Sequence, residues 1–233
     1  MGKDVIIALD YPSREAALSF LDLFSGDTPF VKIGMELYYA EGPALVREIK
    51  ARGHQIFLDL KIHDIPNTAA GAVRSISSLG VDMINLHAAG GLAMMTAAAE
   101  ALQGMPEPAP KLIAVTILTS LNQDALEQEL WVPRALTDTV LHYGQNAREA
   151  GLHGVVCSPL EAGMIHARLG ADFLTVTPGV RFESKDAGDQ QRVTTPAKAR
   201  ELGSDYIVVG RPITKAADPV AAYRRCMDEF VSK

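Results

Sequence analysis

The sequence predicts an α/β protein, a single (β/α)8 TIM barrel over residues 1–233 with its active site at the C-terminal ends of the strands. Three observations favour this fold. Eight apolar runs of strand length recur along the chain, segments with helical periodicity separate them, and a glycine precedes five of the runs. Near-continuous apolar strands that alternate with amphipathic helices are typical of parallel strands covered on the outside by helices.

The predicted strands are short and almost wholly apolar. In chain order they are VIIALD, FVKIGM, IFLDL, MINLHA, LIAVTIL, GVVCS, FLTVTPG and YIVVG. Eight such units in 233 residues favour a closed barrel over an open doubly wound sheet. An open sheet would also be expected to carry a glycine-rich phosphate turn after its first strand, and the segment ALDYPSREA has none.

The segments between the strands have the periodicity of amphipathic helices. Examples are SREAALSFLDLF, PALVREIKA, AAGAVRSISSL, LTDTVLHYGQNAREA and PVAAYRRCMDEFV. Five glycines are expected to end helices at positive φ, before the chain turns into the next strand: Gly53, Gly80, Gly151, Gly170 and Gly203. The stretch SLNQDALEQELWVPRA after the fifth strand is longer than most loops, and we expect an extra helix in it.

Composition excludes several classes of function. Lys and Arg total 22 against 28 Asp and Glu, so no overall positive field attracts a nucleic acid or an anionic membrane. The apolar runs are too short to span a bilayer, and Met1 is followed almost at once by the first strand, so we expect no signal peptide and a cytoplasmic location. Cys157 and Cys226 have no metal-ligand spacing and are expected to be reduced.

Ionisable residues lie at the ends of three consecutive predicted strands. Asp10 ends the first, Lys32 lies in the second, Asp59 and Lys61 end the third, and Asp64 follows in a loop. Asp59 and Lys61 share a face about 7 Å apart along the backbone, a gap that their side chains can close. Alternating carboxylates and ammoniums would keep one another charged. An exposed, frayed strand end is the alternative, but the apolar neighbours of Asp59 favour a buried strand.

The loops after the last two strands predict a phosphate site. VTPGVRFESKDAGDQQRV is long, polar and glycine-containing, as expected of a lid, and VVGRPI places Gly210 and Arg211 directly after the eighth strand. His63 and His87 lack the spacing of a metal site, so structural roles are expected for them and no metal is predicted. GxSxG and Walker-type motifs are absent from the sequence, which argues against serine hydrolysis and NTP cleavage.

The motifs of the whole chain resemble those of the bacterial orotidine 5′-monophosphate decarboxylase family. They are IIALD, FVKIGMEL, FLDLKIHDIPNT, MINLHAAGG, IAVTILTS, GVVCS, TPGVR, GDQQR and VVGRPIT. The resemblance implies conversion of orotidine monophosphate to UMP and carbon dioxide in pyrimidine biosynthesis, with no metal or organic cofactor. No position of these motifs departs from the family pattern.

The resemblance also implies a role for each site residue. Lys61 would donate the proton to C6 of the pyrimidine, and Asp59 would lie beside the departing carboxylate. Lys32 and Asp10 would hold the ribose hydroxyls and anchor the charged network. The remaining substrate contacts would come from Thr119 and Ser120 at the pyrimidine, from Gln190, Gly210 and Arg211 at the phosphate, and from Arg181 in the closing loop.

The resemblance further implies a homodimer with shared active sites. The loop carrying Asp64, Ile65 and Thr68 would enter the site of the partner subunit and complete its charged network. Two alternatives stay open from the sequence. One is a magnesium-dependent phosphosugar decarboxylase of the same barrel group, although such relatives carry a carboxylate where Lys32 stands here. The other is a catalytically silent nucleotide-binding barrel.

Overall fold

Eight parallel strands close into a barrel in chain order, and β1 pairs with both β2 and β8. This architecture comes from a computed structural model that describes residues 3–105, 108–182 and 194–231. It confirms the predicted (β/α)8 fold. The strands are β1 (Asp4–Ala8), β2 (Phe30–Gly34), β3 (Ile56–Ile62), β4 (Met83–His87), β5 (Lys111–Val115), β6 (Gly154–Val156), β7 (Leu174–Thr177) and β8 (Tyr206–Val209).

Helices cover the outside of the barrel. They are α1 (Arg14–Leu21), α2 (Met35–Ala51), α3 (Pro66–Ser77), α4 (Gly91–Glu100), α5 (Gln123–Gln128), α6 (Leu136–Glu149), α7 (Pro159–Leu169), α8 (Pro196–Glu201), α9 (Arg211–Thr214) and α10 (Pro219–Phe230), with a 3-10 turn at Ala88–Gly90. The extra helix expected after β5 is α5. The helix predicted from Pro43 begins earlier, because Met35 follows β2 directly and α2 continues through a kink at Gly42.

The five glycines expected before strands all have positive φ, between 74° and 100°. Gly170 ends α7 in this conformation, and its N–H donates to the carbonyl of His166. A side chain there would be strained, so glycine is the residue that lets each helix stop and the chain return to the sheet.

Alternation along each strand produces two apolar layers. On β1, Ile7 packs toward the helices in the larger layer, whereas Ile6 points into the barrel. Phe57 joins Ile6 in the interior, while its neighbour Leu58 faces outward. The interior layer closes the barrel below the C-terminal strand ends, so the polar residues lie above a packed floor.

The assignment of residues 1–233 to a single domain stays a prediction.

Cys157 and Cys226 are buried and form no disulfide. Within the described ranges, no helix is both long enough and apolar enough to cross a bilayer.

Candidate active site

Four charged side chains, one just after β1 and three on β2 and β3, form one continuous array at the C-terminal end of the barrel. Lys32 Nζ lies 3.2 Å from Asp10 Oδ1 and 3.3 Å from Asp59 Oδ2. Lys61 Nζ lies 2.7 Å from Asp59 Oδ1. The array therefore alternates carboxylate and ammonium groups, as the sequence predicted, and Asp59 receives a cation at each of its oxygens.

The two innermost members of the array are held charged. Burial acts to lower the pKa of Lys32, but the carboxylates of Asp59 and Asp10 outweigh it and raise this pKa above its ordinary value. Burial acts to raise the pKa of Asp59, but Lys32, Lys61 and a hydrogen bond from Asn85 outweigh it and lower this pKa. Both groups are consequently ionised throughout the neutral pH range.

Gly34 leaves room for the Lys32 ammonium group. A Cβ at this position would lie 2.9 Å from Lys32 Nζ and 3.6 Å from Asp10 Oδ1. Gly34 also pairs with Asp59 across β2 and β3. The missing side chain therefore lets the lysine head occupy the space between the two carboxylates.

Strand β3 is irregular where it carries the catalytic candidates. The sequence predicted a strand that ends with Asp59 and Lys61, and the observed strand continues to Ile62. Its register against β4 runs from Leu58 opposite Ile84 to Ile62 opposite Leu86, with an irregularity in between. Three residues of β3 therefore face one residue of β4, which is Asn85. Sequence periodicity predicted a regular strand here and did not reveal this bulge.

Asn85 is a site residue that sequence reasoning missed. Its Nδ2 donates to Asp59 Oδ1 at 2.6 Å, and its Oδ1 accepts from the Lys61 backbone N–H at 2.9 Å. The side chain is almost fully buried, with 1% of its residue surface exposed. The available signal was a lone amide in the apolar run MINLHA, where a polar side chain needs a buried partner.

A cavity of about 580 Å³ opens above this array. Its size is that of a pocket for a small organic ligand. Nine residues predicted for the site line it: Asp10, Lys32, Asp59, Lys61, Thr119, Ser120, Arg181, Gly210 and Arg211. Apolar side chains, among them Ile117, Leu118 and Val156, line the same cavity and offer surfaces against which a planar ring could pack.

Cationic residues of the last two βα units share this cavity with the charged array. Arg181 follows β7, Arg211 begins α9 directly after β8, and Lys215 follows α9. Lys215 was not singled out from the sequence, although it lies four residues beyond Arg211. These three residues offer positive charge for an anion, and they come from other βα units than Lys61 and Asp59.

Some predicted residues do not line the cavity of their own chain. Asp64, Ile65 and Thr68 are exposed, and Ile65 has 67% of its surface accessible. Asp64 Oδ1 accepts a hydrogen bond from the Ile65 N–H at 2.7 Å. Gln190, predicted for the phosphate, lies outside the described residues.

The rings of the two histidines near the array lie close together at a tilted angle. The rings of His63 and His87 lie 5.6 Å apart between centroids. Burial lowers the pKa of His87, and the nearby His63 and Lys61 lower it further. In the part of the chain that the structure describes, no three His, Cys, Asp or Glu side chains are grouped as metal ligands would be.

Comparisons with known proteins agree with the geometry. The sequence model of the orotidine 5′-phosphate decarboxylase / HUMPS family matches residues 3–226. A curated orotidine 5′-phosphate decarboxylase from Bacillus caldolyticus is 55% identical over 233 residues, which is 99% of this chain and 96% of the relative. Another, from Geobacillus thermodenitrificans, is 54% identical over 99% of this chain and 98% of the relative.

Solved structures give the same result. The crystal structure of orotidine 5′-phosphate decarboxylase from Lactobacillus acidophilus is similar, with a TM-score of 0.87 and 42% identity. The match covers 98% of this chain and 99% of that chain. With a matching family model over nearly its whole length and relatives more than half identical, the chain belongs to the orotidine 5′-phosphate decarboxylase / HUMPS family.

Proposed function

We propose that this protein decarboxylates orotidine 5′-monophosphate to UMP and carbon dioxide in pyrimidine biosynthesis, without a metal or organic cofactor. The observation that carries the proposal is the contact of Lys61 Nζ with Asp59 Oδ1 at 2.7 Å, in a cavity of nucleotide size. Family membership and the curated relatives' names support the same reaction.

The reaction needs a cation beside the carbon that loses the carboxylate. When the bond from C6 to the carboxylate breaks, its electron pair stays on C6, where the pyrimidine ring delocalises it poorly. The Lys61 ammonium would stabilise this developing charge and then give its proton to C6. Asp59 would lie beside the carboxylate that leaves, and its two cationic neighbours keep it ionised.

The rest of the cavity suits the other parts of the nucleotide. Asp10 and Lys32 have the polar groups to hold the ribose hydroxyls, and Thr119 and Ser120 would contact the pyrimidine, Ser120 at the amide edge of the ring. Arg181, Gly210 and Arg211, together with Gln190, would bind the phosphate. Phosphate binding favours an arginine, whose planar group donates two parallel hydrogen bonds.

A magnesium-dependent phosphosugar decarboxylase, the closest alternative, is not favoured. Lys32 and Lys61 already hold both oxygens of Asp59, and a divalent cation placed at this carboxylate would be repelled by two ammonium groups. A silent nucleotide-binding barrel is not favoured either, because it would have no need for the charged array in addition to the phosphate residues.

The proposal includes a homodimer with shared sites and a cytoplasmic location. Asp64 and Ile65, which follow β3, and Thr68, in the first turn of α3, are exposed and outside their own cavity, as suits a segment that completes the partner's site. A large apolar side chain such as Ile65 is costly to leave in water, so burial against a second subunit would stabilise it. Two buried cysteines without a disulfide suit a reducing compartment.

The test is loss of orotidine monophosphate absorbance with purified protein, in the presence and absence of a chelator. Wild type should be active in both. Lys61→Ala should lose at least about 10,000-fold in kcat while still binding UMP, because a general acid and a stabilising charge are removed together. Lys50→Ala is the matched control, because Lys50 also pairs with an aspartate, Asp82, but does not line the cavity. Substantial turnover by Lys61→Ala, or activity abolished by the chelator, contradicts the proposal.

A further inference from the structure

The bulge in β3 puts Lys61 in an unusual backbone conformation. Its φ is 51°, in the left-handed region, and among the described residues Trp131 is the other non-glycine residue with positive φ. Such a conformation is disfavoured for a side-chain-bearing residue and persists where surrounding contacts hold it. The contact that reaches the Lys61 backbone from β4 is the hydrogen bond from its N–H to Asn85 Oδ1, 2.9 Å long.

The NH2 group of the same Asn85 side chain contacts the carboxylate that accepts from the Lys61 ammonium group. Asn85 Nδ2 donates to Asp59 Oδ1 at 2.6 Å, and this oxygen also receives Lys61 Nζ at 2.7 Å. The orientation of the amide is fixed by chemistry, because a backbone N–H requires the oxygen and a carboxylate requires the NH2 group. One side chain thus links the backbone of the lysine to the carboxylate that holds the lysine head.

Burial makes Asn85 hard to replace. Only 1% of the Asn85 surface is exposed. Water therefore has little access to the two partner groups that would lose their hydrogen bonds if the side chain were shorter. The bulge leaves three residues of β3 opposite Asn85 alone. A change in side-chain volume at this position would therefore affect all three.

We propose that Asn85 is a positioning residue for the decarboxylation, one that holds the Lys61 backbone in the bulge and fixes the Asp59 oxygen that receives Lys61 Nζ. This inference rests on the proposed function. The amide acts through Lys61 and Asp59, so its removal lowers kcat while the nucleotide is still bound by the phosphate and ribose residues.

The first test compares Asn85→Ala with Thr175→Val. Thr175 is a matched control, because its hydroxyl is fully buried, donates to Asp205 Oδ2 at 3.0 Å and accepts from the Asp205 N–H at 3.2 Å. It lies on β7 at the opposite end of the barrel and does not line the cavity. Asn85→Ala should lose about 100-fold in kcat, as expected when a reacting group shifts by about 1 Å, with UMP affinity within about fivefold of wild type. Thr175→Val should keep wild-type kcat.

The second test is Asn85→Asp, which has nearly the shape of the natural residue. When the introduced carboxyl group is protonated, its O–H can donate to Asp59 and its carbonyl can accept from Lys61, as the amide does. When it is ionised, it repels Asp59 and offers no donor. The charged and titratable groups around it are Asp59 and Lys61 on β3, Lys32 on β2 paired with Asp59, His87 on its own strand, and His63, whose ring lies 5.6 Å from that of His87.

The ratio of Asn85→Asp to wild-type kcat should therefore rise as pH falls from about 8 to about 5, because the adjacent carboxylate favours the protonated form of the new group. A packing role alone would give a ratio that does not change with pH. Wild-type kcat in Asn85→Ala, or a pH-independent ratio for Asn85→Asp, overturns the inference. An inactive wild-type protein overturns the proposed function instead, so the two failures are distinguishable.

Discussion

The position of Lys32 depends on a residue without a side chain. The ammonium group lies between two carboxylates because the Cβ that any other residue would bring at Gly34 is absent, and that Cβ would be 2.9 Å from Nζ. Gly34 has φ −91°, so its backbone is accessible to alanine, and the constraint is steric contact with the lysine head.

We therefore expect Gly34→Ala to be slower by about tenfold to 100-fold in kcat/KM, because the Lys32 head must shift from its place between the two carboxylates, and to be less stable because its buried ion pairs are weakened. Thermal unfolding and steady-state kinetics measure the two effects. Gly71→Ala in α3 is the control, since its nearest neighbouring atom would be 4.0 Å away at Arg74 Nη2. Equal activity in wild type and Gly34→Ala would contradict this prediction, because it would show that the Lys32 ammonium group can shift without loss of activity.

Formal charge decided which members of the strand-end array could be recognised from the residues themselves, whereas Thr119 and Ser120 were predicted from the family resemblance. Asp59, Lys61 and Lys32 were recognisable because ions inside apolar strands are costly unless they are paired. Asn85 carries no formal charge and was not recognised, although its amide contacts two of these residues. The lone amide in MINLHA indicates a buried partner, but its partners lie on a neighbouring strand, and the local sequence does not identify them.

At the level of elements, the two ends of the cavity are built by different parts of the chain. Strands β2 and β3, with Asp10 after β1, supply the charged array, and the segments after β7 and β8 supply Arg181 and Arg211. The apolar runs and the glycines before five of them predicted all eight strands, because they are local signals, and the length of the segment after β5 predicted the added helix α5. The bulge in β3 was missed, since it depends on pairing with β4.

Because the phosphate residues and the reacting lysine come from different parts of the chain, we predict that phosphate binding contributes to the chemical step and not only to affinity. Remote binding energy can be used to organise the site around the reacting group. A substrate that lacks the phosphate should lose kcat/KM by several orders of magnitude. Arg211→Ala should lose about 100-fold with the phosphorylated substrate, as for one charge-assisted contact, and far less with the truncated one.

Kinetics with both substrates check this prediction. Arg224→Ala on α10 is the control, because Arg224 is a largely exposed arginine paired with Asp27 and does not line the cavity. Equal losses for the two substrates in Arg211→Ala would contradict a role at the phosphate.

For the whole molecule, shared sites predict complementation between inactive variants. Lys61→Ala and Asp64→Ala protomers, refolded together in equal amounts, should recover about a quarter of wild-type activity under random pairing. Each hybrid dimer would carry both lesions in one site and none in the other. If Asp64 acts within its own chain, every site keeps a lesion and mixing restores nothing, which removes the shared-site proposal and leaves the decarboxylase assignment intact.

Closure of the barrel has a consequence for the order in which the protein folds. The last strand pairs with the first, with Asp4 opposite Tyr206, so the sheet is complete only after almost the entire chain has left the ribosome. Contacts this distant in sequence are slow to form, because a long loop must close before they contribute. Lys32 and Asp59 emerge early and stay hydrated until that moment, whereas in the folded protein each side chain is only 11% exposed. The burial of these two charges is therefore among the final events of folding.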